Sequence, residues 1–371
     1  MMEEKKVLPD EIELPEIILS KANHAFEMIR QEGVNMTKPK RRRLFKSQVA
    51  AIAGVCLLAV SGISAAAAIH HYWGRAMSGN IQASDVQQQL LTDDGVAVVY
   101  PEKEDYESLK VMQNGISIAP NTVIVDERFA YISFIISGYN LEDGKEPGFE
   151  SVSVNSKEVD LNMSGSIYGG IVSDENGAPV YEDGRKIELR DDGSVMCHYL
   201  DENGNLEYFM KVFITDENNT ILGKMLNVKF ENLGTLYKAD FVDDKEGLWE
   251  FDISLPAISS AMHYDVNKKL EGTNFSVTDV EISPISMKIN YVASTKSEMN
   301  EDEIGVPEIK GVILKDGTRI PYLTDGGSAG YTDDTHAYNI SGYDRVIDVE
   351  EVKSLLILVE PGKELVTVDI Q

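Results

Sequence analysis

Cys197 and His198 stand side by side, and a thiol next to an imidazole is the material of a cysteine nucleophile with its base. Neighbours in an extended strand point to opposite faces, so these two side chains cannot form a dyad through the local chain. His263 and His336 sit in no H-E-x-x-H setting, and no serine is read as the nucleophile of a strand-to-helix elbow. Asp201-Glu202-Asn203-Gly204-Asn205, Asp216-Glu217-Asn218-Asn219 and Asp243-Asp244-Lys245-Glu246 offer oxygen ligands of the kind calcium takes. None has the twelve-residue spacing or the terminal glutamate, and such clusters are ordinarily solvated turns. The expectation is a chain with no catalytic residue, no cofactor and no metal site, hence not an enzyme.

With side-chain chemistry this sparse, function must rest on elements, and the first is Val49 to Ile69, which holds no charged residue. A helix rises ~1.5 Å per residue and the hydrocarbon core takes roughly 20 apolar residues, so residues 47–73 are read as one transmembrane helix. Lys38, Lys40, Arg41, Arg42, Arg43 and Lys46 crowd its N-terminal side, whereas His70, His71, Tyr72, Trp73 and a single Arg75 follow it. That asymmetry places the N-terminus in the cytoplasm and the C-terminal part outside. Arg41, Arg42 and Arg43 are expected at the inner headgroups, and Tyr72 and Trp73 at the outer ones. The span is alanine-rich, so a cleaved signal cut near Ala65 to Ala68 is an alternative, and a buried soluble helix is a third.

Residues 1–46 precede the span. Pro15 can open a helix over 15–31, with Gly33 as its stop. Ile18, Ala22, Ala25, Phe26 and Ile29 recur at spacings of three and four and form one apolar stripe. A lone helix of this length is marginal in water, so the stripe needs a partner, either the membrane surface, a second copy or another protein, and is read as a protein-binding face. His24 has no cysteine near it, which excludes a zinc-binding module there. Ala50-x-x-x-Gly54 and Gly62-x-x-x-Ala66 in the span offer small-residue contacts for a homo-oligomer.

Charge divides along the same line. Of the 371 residues, 62 are acidic and 34 basic; residues 1–46 carry net +2 and the remainder net −30. An exterior this acidic will not bind nucleic acid. Cys56 and Cys197 are the only cysteines, too few for a disulfide framework, which fits a bacterial cell-surface protein better than a small eukaryotic ectodomain.

Beyond the span, residues 74–95 read as a stalk or the start of the outer domain, with a short helix around Gln87 to Leu91 ended by Asp93-Asp94-Gly95. From Gly115 the period becomes two, with turns at Asp143-Gly144, Asp183-Gly184, Asp192-Gly193 and Asn203-Gly204. Strands are expected at Ser151–Val154, Lys186–Leu189, Leu206–Phe213 and Leu226–Phe230. A second set covers Phe275–Ile282, Met287–Val292, Ile309–Leu314, Arg319–Leu323, Leu355–Val359 and Val366–Ile370. The fold class is mainly β: a short cytoplasmic helix, one transmembrane helix, and exported tandem antiparallel β-sandwiches over 96–260 and 268–371. Trp249 and Phe251 share one strand face and belong in the first core, with Leu248 and Glu250 opposite.

The order "P-E-I-I-…-A-F-E-M-I", polybasic run, alanine-rich span, "Q-N-G-I-S-I" (Gln113 to Ile118) and "V-D-E-R-F-A-Y-I-S-F" (Val125 to Phe134) resembles Gram-positive single-pass membrane proteins built on an exported domain of unknown function. "G-L-W-E-F" (Gly247 to Phe251), "I-S-P-I-S" (Ile282 to Ser286) and "I-D-V-E-E-V-K-S-L" (Ile347 to Leu355) resemble the immunoglobulin-like domain that follows in that family. Its members are described as anti-sigma-like partners of extracytoplasmic-function sigma factors. The resemblance implies a sigma factor held inside and a sensory or structural β ectodomain outside, its external ligand unnamed. The alternative is a non-enzymatic, membrane-anchored surface protein that binds a ligand or the cell wall.

Overall fold

The computed structural model describes residues 73–370, apart from 175–176, 191–192, 217–218, 238–239, 296–304 and 361. The expected helix 15–31, the basic run with Arg41, Arg42 and Arg43, Tyr72 and the stretch 49–69 lie outside the described residues. Among the described residues no helix is long and apolar enough to cross a membrane.

Two short helices come first, α1 (Arg75–Asn80) and α2 (Asp85–Asp93). Ser84 caps α2: Gln87 N donates to Ser84 Oγ at 3.3 Å, and Ser84 N donates to Gln87 Oε1 at 2.9 Å, the reciprocal capping box. Gly95, at φ 74°, takes the left-handed step that ends it. The strands of the first half are β1 (Ala97–Val99), β2 (Val111–Gln113), β3 (Ile116–Val125), β4 (Phe129–Ser137), β5 (Glu146–Asn155), β6 (Asn162–Ile167), β7 (Ile171–Ser173), β8 (Pro179–Tyr181), β9 (Leu206–Phe213), β10 (Met225–Tyr237) and β11 (Asp240–Ser254). Those of the second are β12 (Met262–Lys269), β13 (Phe275–Ile282), β14 (Ser286–Ala293), β15 (Glu308–Leu314), β16 (Arg319–Ile320), β17 (Thr324–Tyr331), β18 (His336–Tyr343), β19 (Val352–Leu358) and β20 (Val366–Asp369).

In the first sandwich one layer runs β1-β3-β4-β9-β6, with β2 also on β3, and the other runs β11-β10-β5. Ile118, Ile132, Phe134 and Met210 from one layer meet Val228, Phe230, Trp249 and Phe251 from the other. Phe134 lies 4.9 Å from Phe230 and 5.2 Å from Phe251, ring centre to ring centre. Trp249 and Phe251 are buried while Leu248 and Glu250 face out, as period two requires. The Gln113-Asn114 turn ties the layers together: Gln113 Nε2 donates to the Leu248 carbonyl, its Oε1 accepts from Leu248 N at 3.1 Å, and Asn114 Nδ2 donates to Glu246 O at 2.7 Å.

The second sandwich pairs β12-β13-β14-β18-β17 with β16-β15-β19-β20, over a core that includes Val277, Ile289, Tyr291, Val312, Leu355 and Ile357. The molecule as described is thus mainly β, two antiparallel sandwiches in series. β9 and β13 match the expected strands end for end. Four differences stand out. The second unit begins at Met262, not 268: β12 is an edge strand in which Met262, Tyr264 and Val266 alternate with His263, Asp265 and Asn267, and Tyr264 and Val266 pack half-buried on the second core. Lys186–Leu189 is no strand and makes only single bridges, Lys186 with Val180 and Leu189 with Val195. Arg319–Leu323 shrinks to the two residues of β16. The stretch 74–95 is no stalk: Trp73, Ala76, Met77 and Ile81 are fully buried in a third core cluster that joins the two sandwiches.

Candidate functional site

That third cluster is a joint, and residues 73–82 run through it as a strap. Trp73, Met77 and Ile81 pack with Phe129, Tyr131 and Phe209 of the first sandwich and with Ile285, Ile340 and Val346 of the second. Burying side chains of this size contributes roughly 1.5–3 kcal/mol each. The Trp73 carbonyl accepts from Asn121 Nδ2 at 3.0 Å and from Thr122 Oγ1 at 2.7 Å. Gly74 follows at φ 85°, and a Cβ there would stand 1.9 Å from Asn121 Nδ2, so both backbone and space require glycine.

A buried charge network holds α1. Glu207 accepts from Arg75 N at 3.1 Å and from Ala76 N at 2.7 Å, satisfying amides at the helix start. The Arg75 Nε donates to both Glu182 oxygens, at 2.7 and 2.9 Å. Its remaining nitrogens donate to the carbonyls of Tyr199 and His198, and the guanidinium lies 5.1 Å from the Tyr168 ring centre. Burial pushes the Glu207 carboxyl above its usual range, against the two amide donors and Arg75, which favour its charged form. Burial, reinforced by Glu182, likewise raises the Tyr168 phenol. The strap ends on the second sandwich, where Gln82 N donates to Asp344 O and Val346 N to Gln82 O, each at 3.1 Å.

The joint itself is made where the β3–β4 turn meets the β13–β14 turn. Asp126 is fully buried; its Oδ1 accepts from the amides of Arg128 at 2.8 Å and Phe129 at 2.7 Å. Its Oδ2 accepts from the hydroxyls of Ser283 and Ser286 across the joint. Desolvation dominates and raises the Asp126 carboxyl, although all four donors favour its charged form. Tyr131 Oη accepts from Tyr343 N at 3.0 Å and lies within 3.3 Å of the Ile285 carbonyl and 3.2 Å of the Tyr343 carbonyl, either of which its proton can serve. Lys211 on β9 reaches Asp325 on β17, Nζ to Oδ2 at 2.8 Å. A satisfied buried network of this kind fixes relative orientation.

Trp73, expected at the outer headgroups, is instead buried in this joint. The His198 ring packs on Tyr181 at 4.6 Å, and the Cys197 thiol lies on the other side of the chain beside Gly169, so the two side chains are not paired. The acidic turn at 201–205 is closed on itself: Asp201 Oδ1 accepts from Asn203 N and Asn205 N, each at 2.8 Å. Among the described residues no cluster of three His, Cys, Asp or Glu is placed to hold a metal. The letters Gly326-Gly327-Ser328-Ala329-Gly330 match G-x-S-x-G and escaped the sequence reading. They lie within β17, paired to β18, whereas the nucleophile elbow needs a strand-to-helix turn. Asp126, Ser283 and Ser286 are no motif in the sequence: only the fold brings the turn after β3 onto the turn after β13.

No family model matches this chain, and no curated protein matches it. Among solved structures, a conserved domain protein from Bacillus anthracis is similar at 12% identity with a TM-score of 0.41, over 71% of this chain and 87% of that one.

Proposed function

We propose that residues 73–370 are the exported part of a single-pass membrane regulator of the anti-sigma type, with an immunoglobulin-like second sandwich. In this reading the stripe Ile18, Ala22, Ala25, Phe26 and Ile29 docks a sigma factor, a helix-in-groove mode of recognition, and the domain joint governs that hold. The supporting observation is the strap. The residues that follow the apolar stretch 49–69 are wedged between both sandwiches, so any event that loosens the joint also frees the chain leading toward that stretch. A rigid span transmits tilt poorly, and release of a buried strap supplies either slack for oligomer change or an exposed site for proteolysis.

The test is co-purification of sigma factors with the full-length chain and with its Ile18→Asp, Ile29→Asp variant. Capture by the wild type and loss in the double variant are expected. No capture, or equal capture by both, leaves a non-enzymatic, membrane-anchored surface protein as the better account.

A further inference from the structure

Beside the strap lies a groove of about 380 Å³, within the ~300–1,000 Å³ range of small-molecule sites. Four separate parts of the chain form it: Asn80 and Gln82 of the strap, Ser173 and Pro179 of the β7–β8 hairpin, and Tyr322 and Asp344 of the second sandwich. The Tyr322 ring is 56% exposed, yet its backbone is held firmly. Leu323, the next residue, is fully buried, donates from its amide to Lys310 O and accepts at its carbonyl from Asp344 N. The hairpin lies beside the ring, since a Cβ on Gly177 would stand 3.3 Å from Tyr322 Cγ. A pre-positioned aromatic with two free torsions binds at low entropic cost.

The polar lining decides the ligand class. Its two carboxylates are already neutralised by neighbours, Asp325 by Lys211 at 2.8 Å and Asp344 by Arg345 at 2.9 Å. A cation entering the groove would therefore find ion pairs and no free negative charge, despite the acidic surface as a whole. What the groove presents is a set of hydrogen-bonding groups with no net charge: the Asn80 and Gln82 carboxamides, each with one N–H already given to a backbone carbonyl (Ala76 O and Ser173 O, 2.8 Å each), the Ser173 hydroxyl, the Thr324 hydroxyl oxygen, whose proton goes to Ile309 O at 2.9 Å, and paired carboxylates around one aromatic face. An uncharged, hydroxyl-rich ring with one apolar C–H face matches that set, the C–H face stacking on tyrosine and the hydroxyls meeting amides and carboxylates.

We infer that this groove is a saccharide-binding site, with Tyr322 as its stacking platform. A sugar seated there touches both sandwiches and the strap at once. Its effect on the strap rests on the regulatory reading above; the binding itself does not.

Calorimetric titration of the full-length chain with soluble tetrasaccharides of glucose and of N-acetylglucosamine, and separately with choline, tests the assignment. Saturable binding of at least one saccharide is expected, weakened about tenfold or more by Tyr322→Ala. Binding should be retained in Tyr322→Trp and unchanged in Met112→Ala, an exposed apolar position on β2. No saccharide binding up to millimolar concentration, saccharide binding indifferent to Tyr322→Ala, or binding of choline alone would each overturn the site. Saccharide binding that follows Tyr322 but leaves amide exchange of residues 73–82 unchanged upholds the site and counts against the regulatory reading of the joint.

Discussion

Asp126→Ala strands two serine hydroxyls and two amides that the carboxylate now satisfies, and leaving buried donors unpaired costs about 1–3 kcal/mol. Chemical denaturation should show a loss of that order, whereas Ala at the exposed Glu104 should be neutral. Asp126 and Glu207 also carry a pH signature. Burial raises both carboxyls above their ordinary values of 3.8 and 4.5, so each supports the folded joint fully below those values and loses that support as pH rises through its raised folded value. Glu281, also raised by burial, faces the same turn beside Glu127 and Arg128 and acts in the same sense. The joint should accordingly resist denaturant better in mild acid than at neutral pH, and the Asp126→Asn, Glu207→Gln double variant should flatten that dependence. At Gly74, alanine meets both a left-handed backbone and a 1.9 Å clash; a cost of about 1–3 kcal/mol is expected, read in the same denaturation experiment.

At the scale of elements, the strap is held by polar anchors at its start and by backbone pairing at its end, with an apolar face between. Arg75→Ala removes the contacts to Glu182, His198 and Tyr199 together. Hydrogen exchange at residues 73–82 should then quicken while β4, β9 and β14 keep their protection, because the sandwich cores do not depend on α1. Quickening spread evenly over both sandwiches would mean that the strap is part of their folding core instead. Gln113 and Asn114 play a comparable part for β11, whose outer edge they cover with side-chain amides in place of another strand. An uncovered edge invites pairing with a second chain, so Gln113→Ala, Asn114→Ala should aggregate sooner on heating, measured by light scattering.

For the whole molecule, the proposed function requires residues 1–46 inside and the sandwiches outside, and fusions test that topology. Alkaline phosphatase fused after residue 110 should be active and after residue 32 inactive; the reverse would end the exported reading. Within residues 73–370, two sandwiches share a buried joint instead of a flexible linker, with the Asp126–Ser283 contact bridging 157 residues of sequence. Such a pair should tumble as one body, and nuclear spin relaxation of the two sandwiches should give the same correlation time.

Period two and turn residues were enough to read the described residues as mainly β, to set β9 and β13 to the residue, and to put Trp249 and Phe251 inward, because alternation along a strand is a local property that burial of one face writes directly into the sequence. β17 escaped for the converse reason, since a glycine-rich run carries no alternation to read; β12 does alternate, at Met262, Tyr264 and Val266, but its edge position leaves even those side chains only half-buried or exposed. The joint and groove belong to the tertiary structure alone. Trp73 beside an apolar run is equally a membrane anchor or a core residue until its partners are known, and Asp126-Glu127 is equally a solvated turn or a buried bridge. Asp126 meets Ser286 across 160 residues and Trp73 packs with Ile340 and Val346 from the far end of the chain, and no local pattern records which turn will meet which. Packing of one sandwich against the other made that choice, turning a candidate stalk into a strap and two ordinary turns into the joint.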